Sequence, residues 1–220
     1  MAQPQPLGPE EERMGPRPIR RTSVEEERDA IAQAHIMSVA DPLALGLTSF
    51  GIITFLGGVA AAGYWLPTSL GFLVPVGFLF GGVAQFLAGM WAFSKHDVLA
   101  ATLFTSYSAF WMALSALIAG VGIGLLPVGA MLPFLGMFFG FWTAEMIYLF
   151  LASLRHSMGM SVVTGLLLAA FVLLTIGAFI GSFGLIAAGG WIAIACGIAA
   201  WYVAGASVIN EVMGRRQIPL

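Results

Sequence analysis

The chain has 220 residues, of which 59% are hydrophobic and only 9% are charged, and its formal net charge is −2. Soluble domains carry about 25% charged residues, and the mean hydropathy here is +0.93, so the composition excludes an ordinary soluble protein. The charge balance offers no basic surface for nucleic acid, and the single cysteine, Cys196, can form no internal disulfide.

Residues 1–40 read as a polar N-terminal tail. Five prolines fall within the first 18 residues, together with the acidic run at 10–12, and such a composition cannot bury a core. From Ser23 onward, Ser23 and Glu26 have the spacing of a capping box, which predicts a short cytoplasmic helix. We expect a solvated extension, with a regulatory or recruiting role as the alternative. No apolar run precedes it, so no cleavable signal peptide is expected.

Six apolar runs follow, each of about 20 residues, the length that crosses the roughly 30 Å core of a bilayer. They predict an all-α, polytopic membrane protein with a transmembrane domain over residues 41–211 and a cytoplasmic tail over 212–220. The predicted spans are 43–65, 69–93, 98–120, 132–154, 162–182 and 191–209.

The cationic residues fall in alternate connections between these runs. Five arginines precede the first run, Lys95 and Arg155 lie in two connections, and Arg215 and Arg216 follow the last run. The other three connections, near Pro67, Pro127 and Gly189, carry no charge. Cytoplasmic loops retain Lys and Arg, so this alternation predicts that both termini are cytoplasmic.

Three polar residues lie at one depth in the predicted spans. Counting from the cytoplasmic ends at about 1.5 Å per residue puts Gln85, Tyr107 and Glu145 about 12–15 Å deep. Thr102 and Ser106 add hydroxyls near Tyr107. We interpret this layer as the lining of a path for solute. Interhelical hydrogen bonding is the alternative for Gln85 and the hydroxyls.

Glu145 is an ionisable residue inside a predicted span, and no span contains Lys, Arg or His. Its carboxyl group is therefore protonated, as desolvation favours, or in contact with an aqueous path. We interpret it as a candidate for proton coupling. The alternatives are a protonated interhelical donor or an error in the helix boundary.

The cytoplasmic connections contain few candidate functional groups. Asp41 and Asp97 each precede a predicted helix, where they can cap free N–H groups and border a cytoplasmic mouth. His96 and His156 are expected to be solvated. We find no metal-ligand spacing, no cofactor motif and no catalytic triad, so the sequence predicts no enzyme, metal or cofactor.

Several segments resemble the acetate uptake transporter family, which comprises bacterial acetate/succinate–proton symporters and fungal relatives. The segment DPLALGLTSF (41–50) is similar to the family signature N-P-A-P-L-G-L-x-x-F. Further blocks match in the same order over residues 41–220: FGGVAQFLAG (80–89), FTSYSAFW (104–111), SLRHS (153–157) and GWIAIACGIAAWYVAGASVINE (190–211).

The resemblance implies a homohexamer in the plasma membrane, with one pore in each six-helix protomer. It places a hydrophobic constriction at Phe50, Tyr107 and Leu167, a residue associated with substrate size at Ala200, and an amide at Gln85. The implied function is transport of small monocarboxylates, acetate first and succinate as a further substrate. Transport would proceed by proton symport or through an anion-selective pore.

The chain departs from the family pattern at the charged positions. Asp41 replaces the signature Asn, Ala44 replaces its second Pro, and HDVLA (96–100) replaces the G-N-T-F-G turn. Glu145 lies where the family pattern has an apolar or aromatic residue. The added negative charge is better tolerated by permeation of ammonia or another neutral or cationic small solute, which is one alternative. A non-transporting membrane scaffold or sensor that works through the cytoplasmic tail is the other.

Overall fold

The computed structural model describes residues 22–38, 40–64, 67–215 and 217–220. Every regular element in those ranges is helical, and they contain no strand. Six helical stretches are long and apolar enough to cross a membrane, which confirms the predicted fold class. They are span 1 (Leu43–Ala61), span 2 (Ser69–Ser94), span 3 (Val98–Gly122), span 4 (Val128–Ser153), span 5 (Met158–Ile180) and span 6 (Phe183–Met213).

The predicted N-terminal helix is present as α1, over Ser23–Ser38. Its capping box lies one residue earlier than the sequence pattern indicates. The Glu25 carboxylate accepts from the Thr22 backbone N–H at 2.8 Å, and the Glu25 N–H donates to the Thr22 hydroxyl at 3.3 Å. The prediction of Ser23 and Glu26 was therefore wrong, because Thr22 offers the same hydroxyl at the same spacing. Four of the five N-terminal arginines lie outside the described residues.

The spans of the unit Asp41–Leu220 alternate in direction and are joined by short turns, which gives the bundle two ends. Lys95, Arg155 and Arg215 lie at one end, called here the charged face. The turns at Gly63, Gly124 and Gly181, all with positive φ, lie at the other end, called the uncharged face.

Serine and aspartate side chains cap the helices at three turns. Asp97 accepts from the Ala100 N–H at 2.9 Å, as predicted, and Ser157 accepts from the Met160 N–H at 3.2 Å. Ser182 accepts from the Leu185 N–H, so span 6 begins at Phe183. The predicted start at residue 191, with a turn near Gly189, was wrong.

Gly189 lies within the helix of span 6 because small residues there allow close packing. Gly189 packs against Leu174 of span 5, while the neighbouring face of span 6 approaches span 1 at two glycine pairs, Gly51 with Gly197 and Gly58 with Gly190. A Cβ atom on Gly58 would lie 2.7 Å from the Gly190 carbonyl oxygen. Such small pairs let membrane helices pack backbone against backbone.

Span 2 is irregular. A 3-10 turn (Pro67–Phe72) and a short α-turn (Leu73–Val76) lead into a π-helix (Gly77–Ala84), followed by regular α-helix (Gln85–Ser94). The glycines of the π-helix pack on span 3, since a side chain at Gly81 would overlap Trp111. The wide turns of the π-helix and the lack of side chains at its glycines thus bring span 2 close to span 3.

Candidate functional site

A cavity of about 250 Å³ lies inside the bundle, and all six spans contribute to its wall. It runs from the uncharged face, near Ile118 and Ile186, to the middle of the spans. There it is bounded by Phe50, Tyr107 and Leu167. The structure thus brings together the three residues expected to form a constriction.

Aromatic contacts build the inner end of this cavity. The rings of Phe50 and Tyr107 meet edge to face with centroids 6.0 Å apart, and Phe171 stacks on Tyr107 at 6.0 Å. The Tyr107 hydroxyl contacts the Met146 sulfur at 3.1 Å. Tyr107 is therefore held on several sides, with its ring in the cavity wall.

Between this constriction and the charged face the bundle is filled. Counting along the spans, the side chains one or two turns nearer the charged face are fully or almost fully buried. They are Leu47, Phe104, Met146, Met160 and Val163. The cavity therefore lies on the uncharged side of Phe50, Tyr107 and Leu167, and packed side chains fill the bundle on the charged side.

A second, polar pocket of about 850 Å³ lies at the charged face. Asp41, His156, Asn210, Glu211 and Arg215 are among the residues that line it. Asp41 also accepts from the Leu43 N–H at 2.9 Å. One of the two residues predicted to border a cytoplasmic mouth, Asp41, thus lines this pocket.

Asp97, the other predicted mouth residue, bonds to His156 of the pocket wall. The His156 Nε2 atom lies 3.3 Å from the Asp97 carboxylate. This bond lowers the pKa of Asp97 and raises that of His156, in both cases against an opposing effect of burial. The expectation that His156 is merely solvated was therefore wrong.

The chain after span 6 turns back along this pocket. Gly214 adopts a positive φ, and the Asn210 side chain then accepts from the N–H groups of Gln217 and Ile218 and donates to the Ile218 carbonyl. The Tyr202 hydroxyl donates to the Pro219 carbonyl at 3.1 Å. Leu220 packs against the core and lines the pocket.

The other predicted site residues do not line either of these cavities. Gln85 is fully buried, and its amide has no hydrogen-bond partner among the described residues. Ala200 is buried in the core. The Ser106 hydroxyl donates to the Thr102 carbonyl at 2.7 Å, so it is occupied locally.

Glu145 lies between spans 3 and 4 rather than in the cavity wall. Its carboxyl group interacts with the hydroxyls of Ser106 and Tyr148, and it is partly exposed. Tyr148, one turn from it, is 54% exposed. This position matches the interhelical role that the sequence left open, and the structure does not place Glu145 next to the described cavity.

Thr54 and Trp111 of the cavity wall were missed from the sequence. They lie one helical turn beyond Phe50 and Tyr107, on the same faces of spans 1 and 3. The four-residue spacing from two candidate constriction residues is the signal that could have found them.

Comparison with known proteins gives consistent results. The profile of the GPR1/FUN34/yaaH family matches residues 26–218. The succinate-acetate/proton symporter SatP of Escherichia coli K12 is 34% identical over 83% of this chain and 95% of its own. Ammonia transport outward protein 2 of Saccharomyces cerevisiae is 28% identical over 82% of this chain and 66% of its own.

A solved structure, titled as that of the bacterial acetate channel SatP, has the same arrangement of helices. Its TM-score is 0.78 at 34% identity, and the match covers 83% of this chain and 99% of that one. These similar proteins are named as transporters and channels.

Proposed function

The chain belongs to the GPR1/FUN34/yaaH family, and on that premise we propose that it transports small monocarboxylates, acetate first, through the interior of the six-span bundle. The observation that carries the proposal is the cavity that converges on Phe50, Tyr107 and Leu167. Succinate is a further candidate substrate, because the Escherichia coli relative is named for both acids.

The size and chemistry of the cavity fit a small solute. Pockets that enclose drug-sized ligands hold roughly 300–1,000 Å³, whereas this one holds about 250 Å³. Its wall is almost entirely apolar, which suits the methyl end of acetate. An ionised carboxylate that enters such a constriction loses its hydration shell, which costs much free energy. Passage is therefore easier if the carboxylate is protonated or if hydrogen-bond donors line the path.

Proton symport and an anion-selective pore both satisfy this requirement. In symport a carboxyl group exchanges a proton with the path, and Glu145 is the candidate residue. In a pore, donors replace part of the hydration shell, and Gln85, Thr102 and Ser106 are candidates in a conformation that exposes them. Ala200 would set substrate size from span 6.

The placement of the charges supports an orientation in the plasma membrane with both termini cytoplasmic. The charged face would then be the cytoplasmic mouth, bordered by Asp41 and Asp97, and the cavity would open outside. Large apolar side chains on the outer surface, such as Phe141 and Leu151, suit contact with lipid or with neighbouring protomers of a homohexamer.

Ammonia permeation is the second candidate. Asp41 and Glu145 add negative charge that repels a carboxylate and tolerates ammonium, and one yeast relative is named for ammonia transport. A membrane scaffold or sensor acting through residues 1–40 would transport neither solute.

Purified protein in proteoliposomes separates these functions. We expect saturable uptake of labelled acetate above that of protein-free vesicles, inhibited by excess unlabelled acetate. Ammonia movement is followed in parallel by the pH change inside the vesicles. Ammonia flux without acetate uptake would support the second candidate, and the absence of both would contradict transport of either solute.

A further inference from the structure

Among the residues that the structure describes, three in the cavity wall have a side-chain nitrogen or oxygen atom: Thr54, Tyr107 and Trp111. The Tyr107 hydroxyl is already directed to the Met146 sulfur. The Thr54 hydroxyl and the Trp111 indole N–H therefore remain as the two side-chain donors in an otherwise apolar wall.

Neither donor has a hydrogen-bond partner among the described residues. The Thr54 Oγ1 and Trp111 Nε1 atoms are both buried and unpaired, and their side chains are 3% and 6% exposed. An indole N–H can only donate, and a buried donor without a partner is unfavourable. Both atoms are covered in this conformation, so a guest that displaces the covering groups as it enters the cavity can supply the acceptor that these two donors lack.

Four other hydroxyls in the spans behave differently from that of Thr54. Those of Thr105, Ser106, Thr143 and Thr164 donate to a backbone carbonyl one turn earlier, at 2.6–2.8 Å. This local bond is the usual way for a threonine to satisfy its hydroxyl inside a helix. Thr54 lacks this bond although the residue lies in the middle of span 1.

Packing fixes the position of the Trp111 side chain. Trp111 is wedged between two glycines, since a Cβ atom on Gly57 would lie 2.8 Å from the indole and one on Gly81 would overlap it. Thr54 follows Phe50 by four residues and Trp111 follows Tyr107 by four, so both lie about 6 Å nearer the uncharged face than the constriction.

We propose that Thr54 and Trp111 form a carboxylate-binding site directly before the Phe50–Tyr107–Leu167 constriction. The carboxylate accepts one hydrogen bond from the Thr54 hydroxyl and one from the Trp111 indole, while the apolar wall encloses its methyl group. Two neutral donors hold the solute without a counter-ion, which favours release as well as entry. The inference rests on the proposed function and deepens it, because it names the residues that select a carboxylate.

Binding is tested first, by NMR of the purified protein with ¹⁵N-labelled tryptophan. The Trp111 indole signal is assigned by its loss in Trp111→Phe. We expect acetate to shift this signal saturably, and chloride at equal ionic strength to leave it in place. Thr54→Val, which is nearly isosteric, should weaken the acetate affinity about tenfold, as expected for loss of one hydrogen bond to a charged group.

Transport is tested with the same variants. Thr54→Val and Trp111→Phe should each raise the half-saturating acetate concentration about tenfold. Thr143→Val is the matched control, because Thr143 is not in the cavity wall and its hydroxyl bonds to the Phe139 backbone carbonyl and the Thr175 hydroxyl, and it should keep the wild-type value. Because Thr54→Val leaves Trp111 unchanged, it tests the proposal even if Trp111→Phe does not fold.

The two proposals fail in different ways. If wild-type protein takes up acetate while Thr54→Val keeps its half-saturation and acetate leaves the Trp111 signal unmoved, the binding site is overturned and the function stands. If wild-type protein takes up no acetate, the proposed function fails. The NMR titration then still decides whether the site binds a carboxylate.

Discussion

The rings of Phe50 and Tyr107 meet edge to face, with centroids 6.0 Å apart and planes 87° apart. One residue is on span 1 and the other on span 3, so the contact joins two helices across the inner end of the cavity. Edge-to-face pairs add about 0.5–1.5 kcal/mol beyond the area that they bury. Leu167 of span 5 completes the constriction, and shortening it leaves the aromatic pair in place.

Shortening Leu167 should widen this constriction. Leu167→Ala removes three carbons from the cavity wall, so larger acids such as lactate or succinate should compete with labelled acetate more strongly than in wild type. The matched control is Leu168→Ala, since Leu168 packs against the core but is absent from the cavity wall. An unchanged order of competing acids in the folded Leu167 variant would remove Leu167 from the constriction.

Cysteine labelling should reveal the orientation of the charged face. In a Cys196→Ser background, an impermeant thiol reagent added to intact cells should label cysteines at the uncharged face and leave those at the charged face unlabelled. Suitable exposed or partly exposed positions are Gly71, Gly129 and Gly184 for the uncharged face and Ser94 and Met158 for the charged face. The reverse pattern would overturn the assignment of cytoplasmic termini.

The pair of Asp97 and His156 should respond to pH in a defined window. His156 has a raised pKa, so its contribution to stability is present below its ordinary value of 6.5 and is lost as pH rises through the folded-state pKa. Asp97 has a lowered pKa, so its contribution is present above 3.8 and is lost as pH falls through the folded-state pKa. The pair therefore stabilises most between these values.

Removing the Asp97 charge should lower the pKa of His156. Asp97→Asn keeps an oxygen to cap span 3 but cannot form the ion pair, and an NMR titration of the His156 ring measures the result. The loss of stability should be small, about 0.2–1 kcal/mol, because both side chains are about one-third exposed. Asp41→Asn should have a weaker effect, and a His156 pKa that is unchanged in Asp97→Asn would contradict the pairing.

Glu145→Gln decides between proton exchange and a structural role. Glutamine keeps the shape and much of the hydrogen bonding but cannot titrate. If Glu145 exchanges a proton during transport, acetate uptake by the variant should depend less on pH than uptake by wild type. A wild-type pH profile in the variant would instead assign Glu145 a structural role, as a partner of Ser106 on span 3 and of Tyr148 on its own helix.

Much of the fold could be predicted because membrane insertion depends on features that are local in sequence. Apolar runs and flanking charges gave all six spans, and Asp97 was recognised as a cap from its position alone. The start of span 6 was missed because Gly189 and Gly190 resemble a turn, whereas Gly189 packs against span 5 and Gly190 makes the contact with span 1. That contact joins residues more than a hundred positions apart, which no local pattern reveals.

The candidate site shows the same limit. Phe50, Tyr107 and Leu167 were expected from the family resemblance. Thr54 and Trp111 look like ordinary span residues until their unpaired polar atoms are seen in one cavity wall. The bond from Asp97 to His156 crosses 59 positions, and depth counting could not show that Glu145 lies between spans 3 and 4 rather than in the cavity wall.

The central claim is that acetate crosses the bundle through the Phe50–Tyr107–Leu167 constriction, and blocking that point tests it most directly. The measurement is the initial rate of labelled acetate uptake into proteoliposomes for Leu167→Trp, compared with Val172→Trp on the same span, where the side chain is 37% exposed and lies outside the cavity wall. Thermal unfolding checks that both variants are folded. The account predicts that Leu167→Trp loses nearly all uptake while Val172→Trp retains it. Wild-type uptake by folded Leu167→Trp would contradict the account, because the solute would then have to cross elsewhere.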